Sequence, residues 1–218
     1  MSENMIVPYP VTINSTFICR NAFAEDVNNE CIKVEPQFYN CDLDFAHKHG
    51  GPITKSFLKA LHVKEGVFDS RVHMLMPGWY PCIPGWHHDD VGRDPLTGQP
   101  DYVTPRYHAH HYAGVVNAEV APTEFLLGNY TLPAVKRGQT VYKVWDEALE
   151  AQPLRLVQIP DRRIIKFDWL TFHRGVPAVK NGWRWFGRVS TNTERLNHVT
   201  NEIRTQTQVY LPVINQGW

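Results

Sequence analysis

The sequence predicts a mainly β fold with flanking helices, of the α+β class, as a single domain over residues 1–218. Three observations lead there. Sixteen prolines and fourteen glycines punctuate the chain, and both residue types break helices and mark turns. Between them lie short runs rich in Val, Ile, Tyr, Phe and Trp, side chains that suit a pleated, half-buried strand. A clear helical period shows only from Ile53 to His62. A chain of 218 residues is long enough for one sizeable core.

Residues 1–69 read as N-terminal α/β elements, with short strands at Val11–Ile13 and Glu30–Val34. His47-Lys48-His49-Gly50-Gly51 reads as a solvated turn, because the two glycines end it. In the Ile53–His62 helix, Ile53, Phe57, Leu58 and Leu61 share one face and Thr54 is the expected cap. Val72–Met76 is a strand stopped by Pro77-Gly78, and Tyr80–Pro84 leads on from it. The Gly/Pro-rich stretch Gly92–Pro105 has no apolar period and reads as a long functional loop. Tyr107–Asn117 and Thr123–Gly128 are strands, while Val141–Ala151 is mixed, with one or two helical turns. Leu154–Ile159 and Arg163–Phe167 flank the turn at Pro160-Asp161. Trp183–Thr191 is a strand that alternates Arg184, Phe186, Arg188 and Ser190 onto one face and Trp183 and Trp185 onto the other. The tail 193–218 is weakly patterned, with a short surface helix expected over Asn201–Gln208.

Composition weighs against several function classes. Lys+Arg and Asp+Glu both number 22, so no net charge draws the chain to nucleic acid or acidic lipid. Residues 1–100 hold 8 basic and 12 acidic side chains and residues 101–218 hold 14 and 10, a mild asymmetry that accommodates a basic pocket in the second half. Cys19, Cys31, Cys41 and Cys82 form no Cys-x-x-Cys pair and read as reduced thiols of a cytoplasmic protein. No segment reads as a signal peptide or membrane span.

The chemistry concentrates in two stretches. The first is Pro84-Gly85-Trp86-His87-His88-Asp89-Asp90. The second runs from Lys166 through Phe172-His173-Arg174-Gly175 to Arg188-Val189-Ser190. A His and an Asp two positions apart point to the same side of an extended strand, and a distal His on an apolar strand adds a third ligand. Two imidazoles and one carboxylate, with the opposite positions open, suit non-haem Fe(II) and oxygen chemistry. An Arg on the strand after the distal His can grip a carboxylate. Both His87/Asp89 and His88/Asp90 satisfy the spacing.

Taken in order, Trp86-His87-His88-Asp89, Pro122–Gly128, Ile164–Asp168 before His173-Arg174-Gly175, and Arg188-Val189-Ser190 resemble the Fe(II)/2-oxoglutarate-dependent oxygenases. The resemblance covers roughly residues 70–192 and implies a double-stranded β-helix (jelly-roll, cupin-like) core there. It places the ligand His after an aromatic, which selects His87 and Asp89 with His173 as metal and catalytic residues. It implies Fe(II), O2 and 2-oxoglutarate, with Arg188 and Ser190 on the far carboxylate of 2-oxoglutarate and Arg184 as the alternate. Asn117 and Tyr112 enter as further co-substrate contacts by the same analogy. His108 and His110 share a face and read either as binding groups or as a half-solvated strand. Trp79, Tyr80, Trp86, Tyr102 and Tyr107 read as pocket wall or packing.

The implied reaction is hydroxylation of a small molecule with release of succinate and CO2. A modified residue or nucleobase is the less favoured substrate. Asp89, being a carboxylate rather than a small residue, implies a hydroxylase rather than a halogenase. Two other readings stand beside it: a non-redox Zn(II) enzyme on the same ligands, and a metal-free jelly-roll binding module.

Overall fold

The computed structural model describes residues 5–8, 10–96, 98–102 and 105–211. Residues 1–4, the end of the tail at 212–218, and Thr97, Val103 and Thr104 of the expected long loop lie outside the described residues. The chain is mostly β.

It opens with β1 (Met5–Val7), β2 (Val11–Ser15) and β3 (Phe17–Ala22). A 3-10 turn then occupies Asn29–Val34, where the sequence predicts a strand, before β4 (Gln37–Tyr39). The Asn28 side chain accepts from the Glu30 amide and starts that turn, a local bond that competes with strand pairing. In α1 (Leu43–His49) the Asp42 side chain accepts from the Phe45 amide, so His47 and His49 end a helix rather than form a loop. Next comes α2 (Pro52–Leu61), which starts at Pro52 behind Gly51. Thr54 is not its cap, since its hydroxyl instead donates to Glu35 at 2.9 Å.

The middle of the chain forms β5 (Val67–Leu75), β6 (His110–Val116), β7 (Thr123–Leu126), β8 (Gly128–Leu132) and β9 (Val135–Lys136). Gly128, at φ +120°, closes the run that the sequence reads as a strand: β7 stops at Leu126 and a separate strand, β8, starts at Gly128. The mixed stretch is a full helix, α3 (Val141–Glu150), because Val141, Trp145 and Leu149 recur every fourth residue and bury one stripe. The remaining strands are β10 (Leu156–Gln158), β11 (Arg163–Asp168), β12 (His173–Gly175), β13 (Gly182–Thr191) and β14 (Glu202–Arg204). In place of the surface helix favoured by the sequence, β14 pairs with β4, matching Glu202 with Tyr39.

Two antiparallel sheets carry the architecture. The larger has the order β3-β11-β6-β13-β5 and the smaller β10-β7-β12; an isolated bridge between His87 and His173 adds one more extended segment to the smaller. Alternation along the strands divides the larger sheet into two faces. Ala113, Val115, Ile165 and Phe167 meet Phe125 of the smaller sheet, with the Phe125 and Phe167 rings 5.0 Å apart. Val116, Ile164, Trp185 and Val189 turn the other way, onto Ala46, Ile53 and Phe57 of the two helices. A further core joins α3 to Ile13, Trp86, Leu126 and Phe172.

Phe57 is the plug of the helix-covered face, its ring 5.2 Å from Phe23 and 5.5 Å from Trp185. Phe57→Ala is expected to cost about 3–5 kcal/mol, read as a lower urea midpoint at unchanged slope. A loss below about 1 kcal/mol would mean that the helices contribute little to this core.

Candidate metal centre

Trp86 fixes the segment that carries the first two ligand candidates. Gly85 sits at φ +91°, a conformation that a side chain would strain, and the turn it makes brings Trp86 against α3. There the Trp86 amide donates to Asp146 Oδ1 at 2.7 Å and its indole N–H to Glu150 Oε1 at 2.8 Å. Those two carboxylates are four residues apart on one helical face. The Arg174 guanidinium covers the indole at 4.2 Å from its centroid.

Beyond Trp86 the chain runs extended against β12. His87 N–H donates to the His173 carbonyl at 3.1 Å, and His173 N–H donates to the His87 carbonyl at 3.2 Å. This pairing sets the two imidazoles side by side, centroids 4.6 Å apart. Alternation then sends His88 the opposite way, onto Phe172 at 3.9 Å between ring centres, with Nδ1 2.7 Å from the Tyr102 hydroxyl. The structure therefore groups His87, Asp89 and His173, whose ligand atoms all lie within 4.8 Å of one another.

Both imidazoles are aimed. His87 Nδ1 lies 2.9 Å from the Gly85 carbonyl and His173 Nδ1 lies 3.1 Å from the Thr171 carbonyl. A carbonyl can only accept, so each Nδ1 carries the proton and each Nε2 is left as a lone-pair donor. His173 Nε2 is 3.0 Å from Asp89 Oδ2. Two neutral imidazole nitrogens and one carboxylate oxygen converging on one point fit a divalent transition metal.

Charge around this point is dense and paired. Burial alone would raise the Asp89 carboxyl, but the Arg188 guanidinium beside it holds it well below the usual carboxylate range. Arg188 is in ion-pair contact with Asp89 and reaches Asp69 at 3.3 Å. Arg195 grips Asp69 with both terminal nitrogens, each at 2.7 Å, and approaches Asp90 at 3.6 Å. Burial works against the Arg188 charge, yet Asp89, Asp90 and Asp69 raise its pKa above the ordinary arginine value.

Arg184 stands apart. It is 2% exposed, pairs with no carboxylate among the described residues, and donates to the Thr123 hydroxyl at 2.7 Å while its Nε is unpartnered. Burial pulls it down to about 10, offset in part by Cys82. Arg184, Arg188 and the three ligand candidates line one cavity of about 1420 Å³.

The other residues singled out by sequence fall elsewhere. Ser190 is buried and bonded to His111 Nδ1 at 2.9 Å. Tyr112 lies on the helix-covered face with Lys166 over its ring, and the Asn117 amide donates to the Trp183 carbonyl at 2.8 Å, so neither is brought to the centre. His108 stacks on Trp169, and His110 is exposed at the end of β6. Of that histidine cluster it is His111 that turns inward, as its parity with Ala113 and Val115 would have shown. Asp69, Thr123 and Arg195 are additions to the site. Asp69 precedes the strand that the sequence reads at Val72–Met76, Thr123 lies in the Pro122–Gly128 run without having been given a role, and Arg195 lies in the tail.

The sequence matches no protein-family model and no curated protein. Among solved structures it is similar to a crystal structure of EvdMO1, at 15% identity and TM-score 0.33, over 57% of this chain and 26% of that one. It is also similar to a structure of CytC3 with Fe(II) and alpha-ketoglutarate, at 11% identity and TM-score 0.32, over 58% of this chain and 43% of that one. The chain thus spans less than half of either. No helix among the described residues is long and apolar enough to cross a membrane.

The buried histidines give the metal-free protein a directional response to acid. Burial pushes His73 to about 3, His87 and His111 to about 4, and His88 well below its ordinary 6.5. Unfolded, these groups take protons near 6.5; folded, they resist until about 4, so the unfolded state binds more protons in that window. Stability is then complete above pH 6.5 and lost as pH falls. The urea midpoint is expected to drop between pH 7 and pH 5, and a flat midpoint would show that the histidines are already charged in the fold.

Proposed function

We propose that this chain is an Fe(II)- and 2-oxoglutarate-dependent oxygenase that hydroxylates a small molecule. The observation that carries the reading is the convergence of His87, Asp89 and His173 within 4.8 Å, with a buried, uncommitted Arg184 on the wall of the same cavity. The chain path supports the corresponding core. From β5 to β13 it passes repeatedly between the larger and the smaller sheet, with the His87 segment on the smaller, as a double-stranded β-helix does.

Bound there, iron would supply oxygen activation coupled to conversion of 2-oxoglutarate into succinate and CO2. The protein's own part is positional. His87 and His173 present Nε2 because carbonyls hold their Nδ1 protons, and Asp89 stays ionised because Arg188 faces it. Arg188 and Ser190 are both committed, to Asp89 and Asp69 and to His111, so the sequence-based assignment of the co-substrate anchor moves to Arg184. Its free donors, with the Thr123 hydroxyl beside them, match a carboxylate brought in from solution. The balanced charge of the chain favours a small substrate over nucleic acid. A Zn(II) hydrolase on the same ligands leaves Arg184 without an occupant.

The test is an anaerobic titration of metal-free protein with Fe(II) and 2-oxoglutarate, following the visible charge-transfer band of the chelate. The band is expected in wild type and absent in His173→Ala. In Arg184→Gln it should require roughly 10- to 100-fold more 2-oxoglutarate. Metal binding without a band would favour the non-redox centre, and no metal binding at all would leave a binding module.

A further inference from the structure

Besides Arg184, the cavity is lined by a further arginine that pairs with no carboxylate among the described residues. Asp69, Asp89 and Asp90 face Arg188 and Arg195, and every one of these side chains contacts another in the group. In the proposed function, Arg184 takes the far carboxylate of 2-oxoglutarate, and a divalent metal balances that dianion. Arg71 remains. It projects from β5 into the cavity between Asp69 and His73 and pairs with no carboxylate among the described residues. Its Nη1 donates to the carbonyls of Ser70 at 2.9 Å and Phe38 at 3.3 Å, which holds the guanidinium in place and leaves its other nitrogens available.

What surrounds Arg71 suits an organic acid. The Tyr39 ring lies 5.9 Å from its guanidinium and is also flanked by Arg195 at 5.8 Å and Arg204 at 3.7 Å. Arg204 is paired with Glu202, so Arg71 is the member of this trio that lacks an acid. Tyr80 and Tyr210, joined by a backbone bridge, add a flat wall to the same cavity. Arg71 stands two residues beyond Asp69 on the same face of β5, roughly 7 Å along the strand, and Asp69 in turn contacts Arg188 beside the metal centre.

We infer that the substrate is a small carboxylic acid, its carboxylate held by Arg71 and its carbon frame laid along the tyrosine wall toward the metal centre. This rests on the reading of Arg184 as the 2-oxoglutarate anchor.

The experiment is ligand-observed saturation-transfer NMR on protein loaded with Zn(II) and 2-oxoglutarate. The probes are a panel of small aromatic and aliphatic carboxylic acids, each beside its primary amide. Acids are expected to bind at least tenfold better than their amides, and Arg71→Gln to abolish that preference. Arg71→Lys should recover part of it, with 2-oxoglutarate affinity within twofold of wild type in both variants. Acids that bind no better than amides, or whose preference survives Arg71→Gln, overturn the proposal. If wild type takes up no 2-oxoglutarate, the oxygenase reading has failed on its own. The same panel on metal-free Arg184→Gln protein then decides the Arg71 site, which falls if acids show no preference there.

Discussion

Everything at the centre depends on the reciprocal backbone pairing of His87 with His173. Two hydrogen bonds, at 3.1 and 3.2 Å, fasten a loop segment to the edge of the smaller sheet and bring together ligands that are remote in sequence. A shift of one residue in this register would turn His87 and Asp89 away and present His88 instead. The neighbouring contacts hold the register. Asp146 and Glu150 grip Trp86 from α3. On the partner side, Ser15 accepts from the Phe172 amide and donates to the Leu126 carbonyl, while the Thr171 hydroxyl lies 2.8 Å from the Thr16 carbonyl and 3.0 Å from the Asp168 carboxylate, to one of which it donates.

Electrostatics then decides what those ligands can do. Asp69 and Asp90 are buried or nearly so, and Asp89 is three-quarters so by its side chain, and a carboxylate removed from water stays ionised only with partners close by. Arg188 and Arg195 supply that compensation. Such a network is weak grounds for stability, because desolvation consumes most of the attraction. It orients instead: Arg188 links the Asp89 carboxylate to β5 through Asp69. Arg184, four residues earlier on the same face of β13, has no such obligation among the described residues.

The sequence exposed the centre more readily than its surroundings. His-x-Asp and the distal His stand out because alternation in a strand is a strict rule, and the same rule placed Arg184, Arg188 and Ser190 on one face. It could not say which arginine was already engaged, since that depends on Asp69 reaching Arg188 across a strand pair that joins distant segments. Local hydrogen bonds hid other features. Asn28 turned a strand-like run into a 3-10 turn, and Asp42 capped a helix over what looked like a loop. Tyr112 and Asn117 were attached by analogy alone, and the pleat sends Tyr112 to the opposite face. The tail was misjudged because β14 is ordered by β4, a partner far away in the chain.

That late strand has a consequence for how the molecule comes into being. The cavity wall is closed by Arg195 and by the segment Gln208–Tyr210, while the third metal ligand is residue 173. During synthesis the His87–Asp89 segment emerges long before its partners, so a nascent chain exposes an unpaired edge and uncompensated carboxylates until nearly all of residues 1–210 have left the ribosome. Assembly of the centre therefore waits for these late residues and is dominated by slow long-range closure. A metal ion arriving earlier would meet a single His and Asp rather than a site.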